Sequence, residues 1–316
     1  MRSRSSFSTA LKSIATGFIW NSKQGFAADY GQRTNIMKKI LETLESLDRR
    51  VIFIFIALSI AFPLIFPMNL NFSVTQPVQS FYDAIENLPP GSKVLVSCDY
   101  DPASMPELYP MNLAVFYQLF KRGDKIITMQ LWATGTLLVE QAMSEVLKEF
   151  PDKKYGVDYV NLGFKEGREV VMVSMGTSIP KTFPTDYRGN RVETLPIMQE
   201  VVNFDNVALL VNISGGLPGT REWVQQVQSR YHVKLISGCT AVSAPEFYPY
   251  MQSNQLLGLL GGMKGAAEYE KLVKRPGTAW RGMDAQSVSH IVIFLFIAIG
   301  NIAFFTLKKT KKRLKV

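Results

Sequence analysis

Two long runs without a charged side chain constrain this chain before any other feature. Val51 to Leu70 (VIFIFIALSIAFPLIFPMNL) holds twenty uncharged residues, the length a helix needs to cross roughly 30 Å of hydrocarbon. Ser287 to Leu307 is a second uncharged run, followed by Lys308, Lys309, Lys311, Lys312, Arg313 and Lys315. Residues 51–70 and 287–307 are therefore expected to be transmembrane helices. The first lies too far along the chain for a cleaved signal peptide and reads as a retained anchor. Pro63 and Pro67 fall near its far end, where they can kink or finish the helix with little loss of hydrogen bonding.

Basic residues give the expected orientation, because cytoplasmic flanks carry the positive excess. Arg33, Lys38, Lys39, Arg49 and Arg50 precede the first run, and no basic residue follows it until Lys93. The six basic residues behind the second run outweigh the mixed flank before it. Both termini are expected inside, with residues 71–286 facing away from the cytoplasm. The net charge of +9 sits on the two flanks, residues 1–50 and 308–316, while the intervening chain is slightly acidic. That distribution argues for contact with anionic lipid and against nucleic-acid binding.

Within residues 1–50, Phe7, Leu11, Ile14 and Phe18 recur at helical spacing, as do Ile36, Ile40, Leu44 and Leu47. Each stripe suits either a membrane surface or a protein partner. Two cysteines exclude a disulfide scaffold, and two histidines, His232 and His290, leave little for histidine-based chemistry. A hydrophobic content of 47% excludes a disordered chain.

Between the apolar runs, strand-like segments alternate with amphipathic ones, the pattern of repeated βα units. Expected strands are Lys93–Cys98, Lys125–Leu131, Glu169–Ser174, Val207–Ile213 and Val233–Ser237, with Tyr159–Phe164 a further short one. Expected helices are Glu107–Lys121, Leu137–Glu149, Leu195–Asn203, Thr220–Tyr231 and a long Gln252–Val273. The expected fold is one doubly wound α/β domain with a mainly parallel sheet, Rossmann-like, with an irregular insert around 175–193. Ligands of such sheets bind beyond the carboxyl ends of the strands. The small and polar residues there, Asp99, Asp101, Thr134, Thr177, Ser178, Ser214, Gly215, Gly216 and Thr240, are the candidate ligand-binding set.

Asp99, Asp101 and Glu107 supply oxygen ligands suited to Mg²⁺ or Ca²⁺, or a general acid and base. The same residues at helix starts also serve simply to cap amides. The Asn212–Thr220 run has neither the P-loop nor the complete dinucleotide fingerprint, which favours an ordinary glycine-rich strand-to-helix turn. Cys98 and Cys239 both end expected strands and would form a disulfide if those strands were neighbours. Gly258, Gly262 and Ala266 recur every four residues, which permits close helix packing against the domain's own sheet or against another subunit. The aromatic loop Phe247, Tyr248 and Tyr250, between and beside Pro245 and Pro249, is expected to pack over the sheet rim.

These features lead to a two-span membrane protein that acts as a structural or ligand-sensing subunit of a homo-oligomer or a larger membrane complex. A membrane-tethered hydrolase or transferase using a carboxylate-bound divalent metal is the alternative. A channel component would need oligomerisation, since two spans offer few pore-lining groups beyond Asn301 and His290.

Overall fold

The computed structural model describes residues 48–68, 70 and 72–313; the two expected amino-terminal stripes lie outside the described residues. Two compact units are present, one of them residues 63–285. The other contains helix α1, Arg49–Ile65, up to residue 62, and the chain from residue 286 onward. The larger unit begins with α2 (Gln76–Glu86), β1 (Lys93–Asp99), α3 (Met105–Arg122), β2 (Lys125–Gln130) and α4 (Gly135–Leu147). It continues through β3 (Tyr159–Phe164), α5 (Glu169–Thr177), the short α6 (Ile179–Thr182), three 3₁₀ turns and β4 (Leu209–Ser214). Helix α7 (Thr220–Trp223) runs through a π-turn, Val224–Gln228, into α8 (Ser229–Tyr231). Then come β5 (Leu235–Cys239), α9 (Ala244–Gln252), β6 (Gly258–Gly261), α10 (Gly262–Leu272) and α11 (Thr278–Arg313).

All six strands are parallel, in the order β3-β2-β1-β4-β5-β6. This is a Rossmann-like α/β fold, and its strand order reverses between β1 and β4. Both faces are covered, which is why the strands read as continuous apolar runs. One face carries Val94, Val96, Ile126 and Val211 under α2, α3, α4 and α10. The other carries Leu95, Ile127, Val160 and Leu210 under α5, the 3₁₀ turns, α7 and α9. Burying these side chains stabilises the sheet by about 1.5–3 kcal/mol each.

Four expected segments differ from what is found. Glu169–Ser174 is helix rather than strand: Val171, Met172 and Met175 are buried while Val170 and Ser174 are exposed, which is a helical rhythm. Short apolar valine runs satisfy either period, and here Tyr159–Phe164 is the true third strand. The long Gln252–Val273 helix is divided, because Gly258–Gly261 forms edge strand β6 and Gly262, at φ 63°, turns the chain into α10. Leu195–Asn203 is not an α-helix; the 3₁₀ turn Pro196–Met198 stands there. The aromatic segment at 244–250 is not a loop but part of α9, with Phe247 buried and Tyr248 exposed.

Gly258 also explains the small-residue stripe. A Cβ there would lie 2.3 Å from Phe81 Cα and 2.4 Å from its backbone nitrogen, so the edge strand presses directly on α2. Ala266 is fully buried in the core beneath α10. The expected contact set Gly258, Gly262 and Ala266 is buried within the domain, packed against its own elements.

Of the two expected spans, Thr278–Thr306 is long and apolar enough to cross a membrane. Helix α1 has 17 residues, about 26 Å at 1.5 Å per residue. Its Phe53, Ile54, Phe55, Leu58 and Phe62 are nevertheless exposed.

Candidate functional site

The carboxyl rim of the sheet is organised around Asp99, the last residue of β1. Its carboxylate is fully buried and accepts hydrogen bonds from Ser97 Oγ, Leu131 N and, at 3.2 Å, Trp132 N. Its backbone oxygen accepts from Gly215 N at 2.9 Å. One residue therefore fastens the loops that follow β2 and β4, the strands on either side of β1. Burial pushes the Asp99 carboxyl up to about 7, against the opposing effect of these hydrogen bonds.

A second buried group supports the neighbouring strand ends. Asn212 Oδ1 accepts from Ser214 Oγ (2.9 Å), Thr220 Oγ1 (3.2 Å) and Ser237 Oγ (3.2 Å). Register places Ser97, Asn212 and Ser237 side by side on β1, β4 and β5. These bonds hold the glycine-rich turn after β4 against the start of α7, while Asn212 Nδ2 is buried with no hydrogen-bond partner among the described residues.

Beyond these supports lies a cleft of about 390 Å³ formed by three strand-end loops. Leu131, Trp132, Ala133 and Thr134 follow β2; Phe164, Glu166, Gly167 and Arg168 follow or end β3; Leu217 and Pro218 follow β4. Thr134 Oγ1 donates to Tyr100 O at 3.2 Å, tying the cleft wall to the loop after β1. Arg168 sits at the start of α5 with φ 48°, a positive φ rare for a residue with a side chain. The lining thus combines an indole, a guanidinium, a carboxylate and a threonine at one opening, with apolar Leu131, Phe164 and Leu217 between them.

The candidate ligand-binding residues distribute unevenly around this geometry. Thr134 lines the cleft, and Ser214 and Gly216 line a smaller cavity on the other side of the turn after β4. Gly215 stands in that turn beside Ser104. Thr240 lies at the end of β5, its hydroxyl 3.1 Å from Ser243 Oγ. Thr177 and Ser178 are not at a strand end, because their segment is helical; they line an open groove on α5 and α6 with Lys165 and Lys181.

The expected metal trio is not assembled. Asp99 is engaged as described, whereas Asp101 Oδ1 accepts from Ser104 N (3.0 Å) and Ser104 Oγ (2.8 Å) in the turn leading to α3. Those bonds hold the Asp101 carboxyl below its ordinary value. Glu107 Oε2 accepts from Ala241 N at 2.8 Å. Each carboxylate serves a different part of the backbone, and no group of three potential ligands suited to a metal occurs among the described residues.

The expected disulfide is also corrected. Cys98 and Cys239 are free and buried. Strand β4 lies between their strands, separating them by roughly 9–10 Å at the usual strand spacing, beyond disulfide reach. Register aligns Asp99 with Ser214 and Ser214 with Cys239, so Cys239 shares the Asp99 face and Cys98 points to the opposite one.

Arg168, Glu166 and Phe164 were not among the expected site residues. The signal for them was Tyr159–Phe164: once that run is the third strand, Lys165–Arg168 becomes its strand-end loop. No family model matches the chain, and no curated protein matches it. Among solved structures, a trehalose-6-phosphate synthase is similar over 79% of this chain and 49% of its own, with 8% identity and a TM-score of 0.27. The chain therefore spans about half the length of that protein, and so distant a likeness carries no argument about activity. Fold and site together define a Rossmann-like α/β domain with a ligand-sized cleft at its carboxyl rim.

Proposed function

We propose that this chain is a two-span membrane protein whose α/β domain, residues 71–286, lies across the membrane from both termini and works as the ligand-sensing part of a membrane complex. The single observation that carries the sensing role is the convergence of three strand-end loops, after β2, β3 and β4, on one cleft of about 390 Å³. That volume lies within the range of small-molecule sites, and the position is the one open α/β sheets use for ligands. Trp132 offers a flat surface for a ring or sugar face, and Arg168 and Glu166 fix orientation through charge. The topology draws support from the long apolar segment Thr278–Thr306, from the uncharged run 51–70 and from the positive flanks. Residues 1–50 and 308–316 then rest on anionic lipid.

Native mass spectrometry of the full-length protein, extracted gently from membranes, tests this reading. Wild type should carry a small-molecule mass that Trp132→Ala loses at unchanged subunit number. A defined assembly without any small ligand would refute sensing and leave a structural role. Topology is tested by single cysteines at Val242, which is exposed, and at Thr310: an impermeant maleimide should label the first from outside the cytoplasm and not the second.

A further inference from the structure

We propose that the cavity between the ends of β4 and β5 is a binding site for the ammonium group of a compact amine, a site across the turn after β4 from the larger cleft, with which it shares Leu217. The cavity measures about 160 Å³, close to the roughly 150 Å³ void that admits benzene in an engineered protein core. It has room for a molecule of roughly six to eight non-hydrogen atoms on that comparison.

Glu222 is the anchor. It lines this cavity and is 8% exposed. Its Oε2 accepts from Gly219 N at 2.7 Å in a capping box, and its Oε1, to which no hydrogen bond from a described residue is made, is not one of the fully buried oxygens and stays open to the cavity. The neighbouring Arg221 does not compensate it, because that guanidinium pairs with Glu246 at the half-exposed edge of the same cavity. A carboxylate oxygen that faces the cavity can accept a charge-assisted hydrogen bond from a cationic donor brought by a ligand, about twice as strong as a neutral one.

Charge and hydrogen-bond direction select the ligand. Two carboxylates and one guanidinium line the cavity, so its net charge favours a cation. Ser214 donates its single hydroxyl hydrogen to Asn212 Oδ1 and therefore faces the cavity only as an acceptor. An ammonium group, with three donors and no acceptor, matches Glu222 Oε1 and Ser214 Oγ together; a neutral alcohol would also need a donor, and the guanidinium is already engaged. Phe247, buried on the cavity wall, receives the carbon skeleton.

The test is isothermal titration of the full-length protein in detergent micelles and amine-free buffer, with ethanolamine and, separately, serine as probes. Saturable binding to one site per chain is expected, weakened about tenfold or more by Glu222→Gln, which loses the charge but keeps an acceptor for Gly219 N. Ser243→Leu, which fills the cavity without touching Glu222, should abolish binding, and Trp132→Ala should leave it intact. Tighter binding of serine would mark a zwitterionic amino acid as the source of the ammonium, and tighter binding of ethanolamine a simple amine. No binding of either probe up to about 10 mM, a range that still registers very weak sites, would overturn the proposal. So would equal affinity in wild type and Glu222→Gln, or binding lost only with Trp132→Ala, which would locate it in the cleft. Melting curves of each variant establish that the fold is retained.

Discussion

Replacing Asp99 by asparagine should make the protein more stable at pH 8 and no more stable at pH 4. The folded-state value of the carboxyl is about 7, against about 3.9 in an unfolded chain. Between those values the folded protein holds a proton that the unfolded chain has lost, so stability falls as pH rises. The favourable contribution is complete below about 3.9 and is lost as pH rises through about 7. A shift of about 3 units at about 1.4 kcal/mol per unit gives about 4 kcal/mol across this window. Asp99→Asn keeps the local bonding, since the amide oxygen can accept from Leu131 N and Trp132 N and the amide nitrogen can donate to Ser97 Oγ. Thermal unfolding of wild type and D99N in matched micelles should therefore coincide near pH 4 and diverge towards pH 8. At 2–4 °C per kcal/mol for a domain of this size, the variant should melt roughly 8–16 °C higher at pH 8. A pH-independent difference, or a D99N variant less stable at pH 8, would refute the reasoning and show that the ionised carboxylate is compensated by a cation.

Gly258→Ala should cost about 1–3 kcal/mol in a denaturant titration, because the new methyl meets the backbone of Phe81 and not a movable side chain. Subunit number, read by light scattering, should stay unchanged; a variant that kept its stability and lost an oligomer would restore the glycine stripe to a subunit interface. Cys98 and Cys239 should resist maleimide at pH 7.5 in the folded protein and react on denaturation, with no mobility change on reduction, since burial pushes the Cys239 thiol up to about 12. Rapid labelling of either thiol would contradict the burial described. Glu270→Ala should lower stability by about 2 kcal/mol and speed hydrogen exchange at 277–280, because Glu270 accepts from Gly277 N, Ala279 N and Trp280 N; unchanged exchange there would show that those amides find other partners.

The central strands were legible because a parallel sheet covered on both faces demands unbroken apolar segments, and KVLVSC, KIITMQ and LLVNIS supply them. The helix at Glu169 was not, since Val170, Val171 and Val173 satisfy strand propensity and only the burial of Val171, Met172 and Met175 reveals the period. Edge strand β6 was hidden for a different reason. Its Gly258 admits the α2 backbone at Phe81, a contact with a residue 177 positions earlier in the sequence that no local pattern encodes. The rim followed the same division: Thr134, Ser214 and Gly216 follow strands that the sequence places and line cavities there, while Arg168 is passed over because Glu169–Ser174 is expected as the third main strand and the loop after Tyr159–Phe164 is not read as a strand end.

Helix α10 shows how buried acids can be structural rather than catalytic. Glu268 and Glu270 are on it, and Asp284 follows in α11; all three are almost completely buried. Glu268 accepts from Thr75 N (2.8 Å) and Thr75 Oγ1 (2.6 Å) at the start of α2. Asp284 accepts from Met68 N (3.0 Å) and Leu70 N (3.1 Å), and Glu270 takes the amides that open α11. A backbone amide is a fixed donor, so a carboxylate that receives two or three of them gains hydrogen bonds without ordering a long basic side chain. Here the donors belong to the chain leaving residue 65 and to the chain approaching residue 278. These acids therefore join two segments more than 200 residues apart in sequence to one region of the α/β domain. The opposite end of α10 begins at Gly262, beside Glu107 and Ala241 of the carboxyl rim. One helix of 11 residues, about 16 Å long at 1.5 Å per residue, thus connects the carboxyl rim with Thr75 at the start of α2 and the amides of residues 277–280. Acidic residues in this chain are best weighed by what their oxygens already accept: Asp99, Glu270 and Asp284 take backbone amides, whereas Glu268 divides its two oxygens, Oε2 taking Thr75 N and Oγ1 and Oε1 lying 3.2 Å from Lys264 Nζ.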